Sequence, residues 1–215
     1  MSGKPQYDEA AVIAAAIDVF WRHGYATASI NDLTEATGLS RSSLYQRFGD
    51  KDGLFRDALA VYTERVLRRM RAARADSARG SVAAILREFL PTPAASRRPA
   101  GCLLSRSTAE LLDLAAAGKT TTLAGVARQR EIFADLLRAG VANGEVAPET
   151  DVDAFAWYYL GVLQAVLNLP QAGASGEALG SIIDIAMSAW PARTDTDRAT
   201  MEMRKCADGE LSSEN

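Results

Sequence analysis

Ser29-Ile30-Asn31-Asp32-Leu33-Thr34-Glu35-Ala36-Thr37-Gly38-Leu39-Ser40-Arg41-Ser42-Ser43-Leu44-Tyr45-Gln46-Arg47-Phe48 is the stretch whose reading decides the fold. Ser29 is a good helix N-cap, and Asp32 puts a carboxylate in the first turn, where free N–H groups and the positive dipole end lie. Ile30, Leu33, Ala36 and Thr37 recur at helical spacing and predict one buried stripe. Gly38 ends that helix, because glycine enters the left-handed conformation without a Cβ penalty. Leu39 plugs the corner, and Ser40 caps a second helix running to Phe48. Leu44 and Phe48, four apart, share its buried face. At about 100° per residue, Ser42 and Gln46 point away from that face, with Ser43 and Tyr45 beside them. Arg41 and Arg47 flank it. Such a face suits the major groove of DNA: Gln pairs with adenine, Arg with guanine, and hydroxyls bond phosphates or bases. The same residues also fit an ordinary solvated helix face beside a glycine turn, so the pattern alone leaves both readings open.

The context around the motif separates them. Residues 7–60 resemble the N-terminal domain of the tetracycline repressor (TetR) family of regulators. The resemblance lies in Ala14-Ala15-Ala16-Ile17-Asp18-Val19-Phe20, His23-Gly24-Tyr25, Ser29-Ile30-Asn31-Asp32-Leu33 and Ala36-Thr37-Gly38-Leu39-Ser40. It continues through Ser43-Leu44-Tyr45-Gln46-Arg47-Phe48-Gly49-Asp50-Lys51-Asp52-Gly53-Leu54-Phe55. The resemblance implies that Arg41, Ser42, Ser43, Tyr45, Gln46 and Arg47 occupy recognition-helix positions. It places Lys51 at a phosphate-contacting position, and Asn31, with Ser29 ahead of it, where the second helix also touches DNA. Ala28 departs from the pattern, since many members carry a Thr hydroxyl there. The match is strong over the first quarter; the remainder matches in helix layout.

Size and composition fit this reading. A chain of 215 residues can bury a substantial core. Ala and Leu dominate and β-branched runs are scarce, which favours helix. The net charge of −3 argues against a general nucleic-acid binder. Residues 1–75 nevertheless hold 11 basic and 9 acidic residues, a charge of +2, while residues 76–215 hold 13 and 18, a charge of −5. A mildly basic head on an acidic body keeps DNA contact local to the head. Cys102 and Cys206 are too few and too far apart for a disulfide framework. The uncharged run over residues 154–176 is broken by Gln164, Asn168 and Pro170 and reads as a buried helix rather than a membrane span. No secretory signal pattern is present, and the expectation is a cytoplasmic protein with no membrane partner.

The expected architecture is all-α, with about nine helices: residues 8–23, 29–37, 40–48, 51–73, 81–90, 101–117, 120–143, 152–169 and 177–190. Residues 1–50 form a three-helix helix-turn-helix domain. Residues 51–192, from the linking fourth helix on, form the effector-binding and dimerisation domain, and residues 193–215 a polar tail without assigned function. The fourth helix carries Leu54, Phe55, Leu59, Tyr62, Val66 and Met70 as its apolar stripe. The loop 91–99, rich in proline and carrying Arg97-Arg98, marks a break. The eighth and ninth helices are apolar on nearly every side, more than one small body covers. Two such helices from each of two subunits would make a four-helix interface, and a two-fold dimer implies a pseudo-palindromic operator in double-stranded DNA.

The resemblance further implies a small-molecule pocket in the body whose occupancy lowers DNA affinity. Cys102, Ser105, Phe133, Trp157, Tyr158 and Gln164 are its candidate lining, although core or dimer packing accounts for each as well. Many aromatics and few charges point to an uncharged or aromatic effector. Cys102 opens a helix just after a basic loop, an environment that activates a thiol. The same architecture switched by oxidation or alkylation of Cys102 is therefore an alternative, set against a buried, inert Cys.

Other motifs carry no chemistry. Gly118-Lys119-Thr120 mimics the end of a phosphate-binding loop, but Asp113 stands where that loop needs glycine, and helix rather than strand is expected before it. His23 is the single histidine and has no nucleophile or ligand cluster around it. No catalytic cluster, metal site or cofactor is expected. A helical interaction scaffold without DNA binding is the rival from another class; it predicts that Gln46→Ala and Arg41→Ala are silent.

Overall fold

The computed structural model describes residues 7–92, 99 and 101–193. The first four helices begin where a short polar side chain can accept the free N–H groups of a first turn. Asp8 caps α1 (Glu9–His23), Ser29 caps α2 (Ile30–Thr37), Ser40 caps α3 (Arg41–Phe48), and Asp50 caps α4 (Lys51–Ala72). Each such cap stabilises its helix by about 1 kcal/mol. Ser29 and Asp32 form a reciprocal box: Ser29 Oγ accepts from the Asp32 amide at 3.1 Å, and Asp32 accepts from the Ser29 amide at 2.8 Å. Those bonds to Ser29, its amide first, hold the Asp32 carboxyl below the usual range.

The head is α1 to α3 packed around one core. Val12, Ala16, Ile17 and Phe20 of α1 meet Leu33 of α2 and Leu44 and Phe48 of α3, with Leu39 closing the corner. Ala36 is exposed rather than part of the stripe. On a helical wheel Ile30 and Thr37 flank Leu33 on one side and Ala36 on the other, and α2 is rolled toward the first side.

α4 spans about 33 Å at a rise of about 1.5 Å per residue. All six expected stripe residues, Leu54, Phe55, Leu59, Tyr62, Val66 and Met70, are buried. It packs against α1 and against the body, so it belongs to both units. The body adds α5 (Ala78–Glu88), α6 (Leu103–Ala109), α7 (Ala116–Asn143), α8 (Val152–Asn168) and α9 (Gly176–Ser188), with a 3-10 turn at Leu169–Ala172 after α8. α7 is the hub, packing on α8, α4, α5 and α6. Among the described residues there are nine α-helices and no strand beyond one isolated bridge, Val146 to Ala192.

The expected sixth helix is wrong in extent. α6 stops at Ala109, residues 110–113 form a turn, and α7 begins at Ala116. Gly118 lies inside α7, where a Cβ would sit 3.4 Å from the Phe55 ring; it is a close-packing site, not a stop. Residues 111–117, read as continuous helix, are thus mostly turn, yet no strand precedes Gly118 and the phosphate-loop reading stays excluded. α8 is not a helix wrapped by its own chain either. The segment Val152–Ala172 is long and apolar enough to cross a membrane by length and composition, and 28% of its apolar window is buried here. The Arg97-Arg98 pair, Cys206 and the tail 194–215 lie outside the described residues.

Candidate nucleic-acid interface

Burying Leu44 and Phe48 fixes the roll of α3 and so turns its other face outward. Arg41, Ser42, Tyr45, Gln46 and Arg47 are all exposed there, and Ser43 is half-buried. Tyr45, 43% exposed, is a large aromatic side chain left in solvent by a helix only eight residues long. Ser43 and Ser42 hydroxyls each lie 2.9 Å from Ser40 Oγ, a hydroxyl cluster at the N-terminus of α3.

The two arginines differ. Arg41 reaches back to α2 and donates to Asn31 Oδ1 at 2.7 Å, which joins the two helices of the motif on their exposed side. Arg47 instead pairs with Glu9 at the start of α1 and lies over the Phe48 ring, 4.9 Å from its centroid. That pair holds the Glu9 carboxyl below the usual range. Both partners are well exposed, so the pair is weak and can be exchanged for a phosphate. Spacing alone placed Arg47 at the edge of the face; its tether to Glu9 depends on how α1 crosses α3.

Lys51 opens α4, at the seam between head and body. Its ammonium donates to the Ala28 carbonyl at 2.9 Å and lies 4.4 Å from the centroid of the Tyr25 ring. Burial lowers its pKa, and Glu110 opposes that shift. Tyr25 is held in turn by its hydroxyl, which donates to Asp52, and by its ring against Phe55.

The six residues expected to line an effector pocket are not brought together as one set. Cys102 and Ser105 line a cavity of about 340 Å³ with Trp21, Arg106, Ala109, Asn168 and Gln171. Gln164 lies behind it: Ser105 Oγ donates to its side-chain oxygen, and Gln164 lies 3.5 Å from fully buried Gln129. Phe133 is core, packed on Tyr159. Trp157 is 50% exposed and Tyr158 40%, on the outer face of α8, far from enclosed. Trp21, Arg106, Ala109, Asn168 and Gln171 are not among the six expected from the sequence. Trp21 belongs to the head in sequence, and its place on the cavity wall follows from α1 packing on α6. Arg106 is the one charged residue on the cavity wall. Cys102 is 2% exposed, and the Tyr62 hydroxyl donates to its sulfur at 3.5 Å. Among the described residues no group of acidic, His and Cys side chains could hold a metal ion.

Comparison with known proteins bears on the family and the fold. Residues 12–58 match the family "Bacterial regulatory proteins, tetR family", and residues 78–186 match "Tetracyclin repressor-like, C-terminal domain". The chain is 30% identical over 194 residues to the HTH-type transcriptional repressor ComR of Escherichia coli K12, covering 88% of this chain and 92% of ComR. It is 28% identical over 201 residues to the uncharacterized HTH-type transcriptional regulator YezE of Bacillus subtilis, covering 87% and 98%. Among solved structures it resembles the TetR family regulator CifR, in a cysteine-mutant form complexed with a 26-bp double-strand operator DNA. There the TM-score is 0.77 and the identity 34%, over 88% of this chain and all of that one. The all-helical fold with its helix-turn-helix head, the match of both halves and the similarity to ComR together show that the chain belongs to the TetR family of transcriptional regulators.

Proposed function

We propose that the protein is a homodimeric repressor that binds a pseudo-palindromic operator through α3 and leaves it when a small molecule occupies the body. The observation that carries the DNA-binding part is the outward face of α3, held by Leu44 and Phe48, in a chain similar over most of its length to CifR, whose structure contains operator DNA. Gln46 and Arg41 read bases, while Ser29, Asn31, Ser42, Ser43, Tyr45, Arg47 and Lys51 engage the backbone or neighbouring base edges. Fluorescence anisotropy on DNA recovered from a random pool tests this, with the salt dependence measured alongside.

The dimer reading rests on apolar side chains that one chain leaves in water. Trp157 and Tyr158 of α8 and Ile185 of α9, the last 69% exposed, lie on helices that pack together. An exposed apolar face of this kind marks a protein interface. A second copy supplies the same two helices and places two α3 helices on one side of the duplex. Such a protein works in the cytoplasm beside DNA.

For the effector, the cavity beside α6 is the supported site. An aromatic or uncharged ligand meets Trp21 and Ala109, and its hydrogen-bonding groups meet Ser105, Asn168, Gln171 and Arg106. Release requires that the ligand prefer one head position over another. Cys102 lies on the same wall, which supports a second reading in which oxidation or alkylation of this thiol throws the switch. Comparing operator release by an electrophile in wild type and Cys102→Ser separates the two.

A further inference from the structure

The turn that closes α6 reaches out of the body and grips the head. Glu110, the residue after α6, accepts hydrogen bonds from the backbone amides of Tyr25 at 2.5 Å and Ala26 at 3.4 Å. These amides lie in the α1–α2 connection, 85 and 84 residues away in sequence. One turn earlier on α6, Arg106 donates to the His23 carbonyl at 2.9 Å and pairs with Glu110 at 3.4 Å. Between them sits Gly24, where a Cβ would overlap Glu110 Oε1 and approach Arg106 Nε to 2.7 Å. The absence of a side chain at that position is what lets the clasp close.

What the clasp holds is the residue that carries Lys51. Tyr25 lies with its ring under the Lys51 ammonium, and its hydroxyl donates to Asp52, next to Lys51 at the start of α4. Lys51 is half-buried, so its ammonium has a defined place rather than a freely moving one. We infer that Glu110 is a positioning residue for DNA binding: by fixing Tyr25 from the body, it sets the Lys51 ammonium against the DNA backbone. This rests on the reading of Lys51 as a phosphate contact.

The inference opposes simple electrostatics, and that makes it testable. Removing a carboxylate near DNA should strengthen binding, equally for Glu110→Gln and Glu110→Ala. Glu110→Gln keeps an oxygen that accepts from Tyr25, whereas Glu110→Ala keeps none. The experiment titrates operator DNA, recovered from a random pool with wild-type protein, against both variants in the full chain. Glu110→Ala should bind about five-fold more weakly than Glu110→Gln, by a similar factor on operator and unrelated DNA, because a phosphate contact carries no sequence information. In a Lys51→Ala background the difference between the two variants should fall within about two-fold, the non-additivity of groups acting as one unit. Hydrogen exchange at the Tyr25 and Ala26 amides, read against the interior of α1, shows that the fold survives and the clasp alone has opened. If Glu110→Ala unfolds, Glu110→Asp against wild type gives the comparison at constant charge, with a loss of about three-fold expected. Equal affinities of the Ala and Gln variants (or of Glu110→Asp and wild type, where that pair is used), or a difference that persists without Lys51, would overturn the inference. Lys51→Ala that binds as well as wild type would instead overturn the phosphate-contact reading on which it rests.

Discussion

Substitution of Gly24 by alanine should be far costlier than the same change at Gly38, for reasons the structure separates into two parts. Gly38 closes α2 at φ 70° and ψ 7°, with open space where a Cβ would go. Alanine there meets only the left-handed penalty of about 1–2 kcal/mol. Gly24 closes α1 at φ 82° and ψ 172°, a region essentially reserved for glycine, which costs another residue about 1–3 kcal/mol. The new methyl also overlaps Glu110, which can swing aside only by giving up the Tyr25 and Ala26 amides. Hydrogen bonds to a charged group contribute about 1.5–3 kcal/mol each at full strength, but the carboxylate is partly exposed and the Ala26 bond is long at 3.4 Å, so the two together come to about 2 kcal/mol. The expected total for Gly24→Ala is about 3–5 kcal/mol. At about 2–4 °C per kcal/mol for a chain of this size, that is a fall in Tm of roughly 6–20 °C, against roughly 2–8 °C for Gly38→Ala. The assay is thermal and urea unfolding by circular dichroism at one fixed protein concentration, since dimerisation couples stability to concentration. A Glu110→Ala background should remove the clasp part of the Gly24 cost and leave the backbone part. Equal losses at the two glycines, or a Gly24 cost unchanged in that background, would refute the reasoning.

Further outcomes follow from the same structure. Gln46→Ala and Arg41→Ala should each weaken operator binding by about 1–3 kcal/mol and relax the preference at one base position, read by competition with variant operators. Ile185→Asp, alone or with Tyr158→Asp, should shift the protein toward monomer in sedimentation analysis, because a carboxylate cannot be desolvated in an apolar interface without large cost. Among the described residues the buried Tyr159 hydroxyl has no hydrogen-bond partner, and burial pushes its pKa up. A group that titrates higher folded than unfolded contributes its stability in full below the unfolded value, about 10 for tyrosine, and loses it as pH rises beyond. Tyr159→Phe should therefore be at least as stable as wild type at neutral pH and should flatten the loss of stability above pH 10 in urea titrations. With a reversible effector, buried Cys102 should react slowly with iodoacetamide in the native protein and fast on unfolding, whereas the thiol-switch reading requires a fast native reaction that Cys102→Ser removes.

What the sequence made legible follows from how local each signal is. Leu44 and Phe48 at i and i+4, between Ser40 and Gly49, specify α3 and its outward face within ten residues, and the structure places them as expected. α4 was equally clear, since a six-residue stripe over more than four turns has one helical solution. α6 and α7 were blurred because Gly118, a stop signal by type, is in fact a packing contact with Phe55. Neither helix has a side-chain cap to mark its start. The site was legible where its residues are contiguous, as on α3, and hidden where it is assembled across the chain. Trp21, Arg106 and Gln171 reach one cavity from three separate elements, and Glu110 meets Tyr25 across 85 residues; no periodicity reports such meetings. The exposure of Trp157 was legible only as an excess of apolar surface, which composition shows but cannot locate.

The most direct test of the account is a selection of random-sequence DNA by the wild-type protein, followed by footprinting of the recovered sequence. The account predicts an enriched inverted repeat whose half-sites are protected one helical turn, about 10 bp, or a multiple of it apart. That protection should be lost with Gln46→Ala under conditions where wild type binds. No enriched sequence, or protection unchanged by Gln46→Ala and Arg41→Ala together, would contradict it.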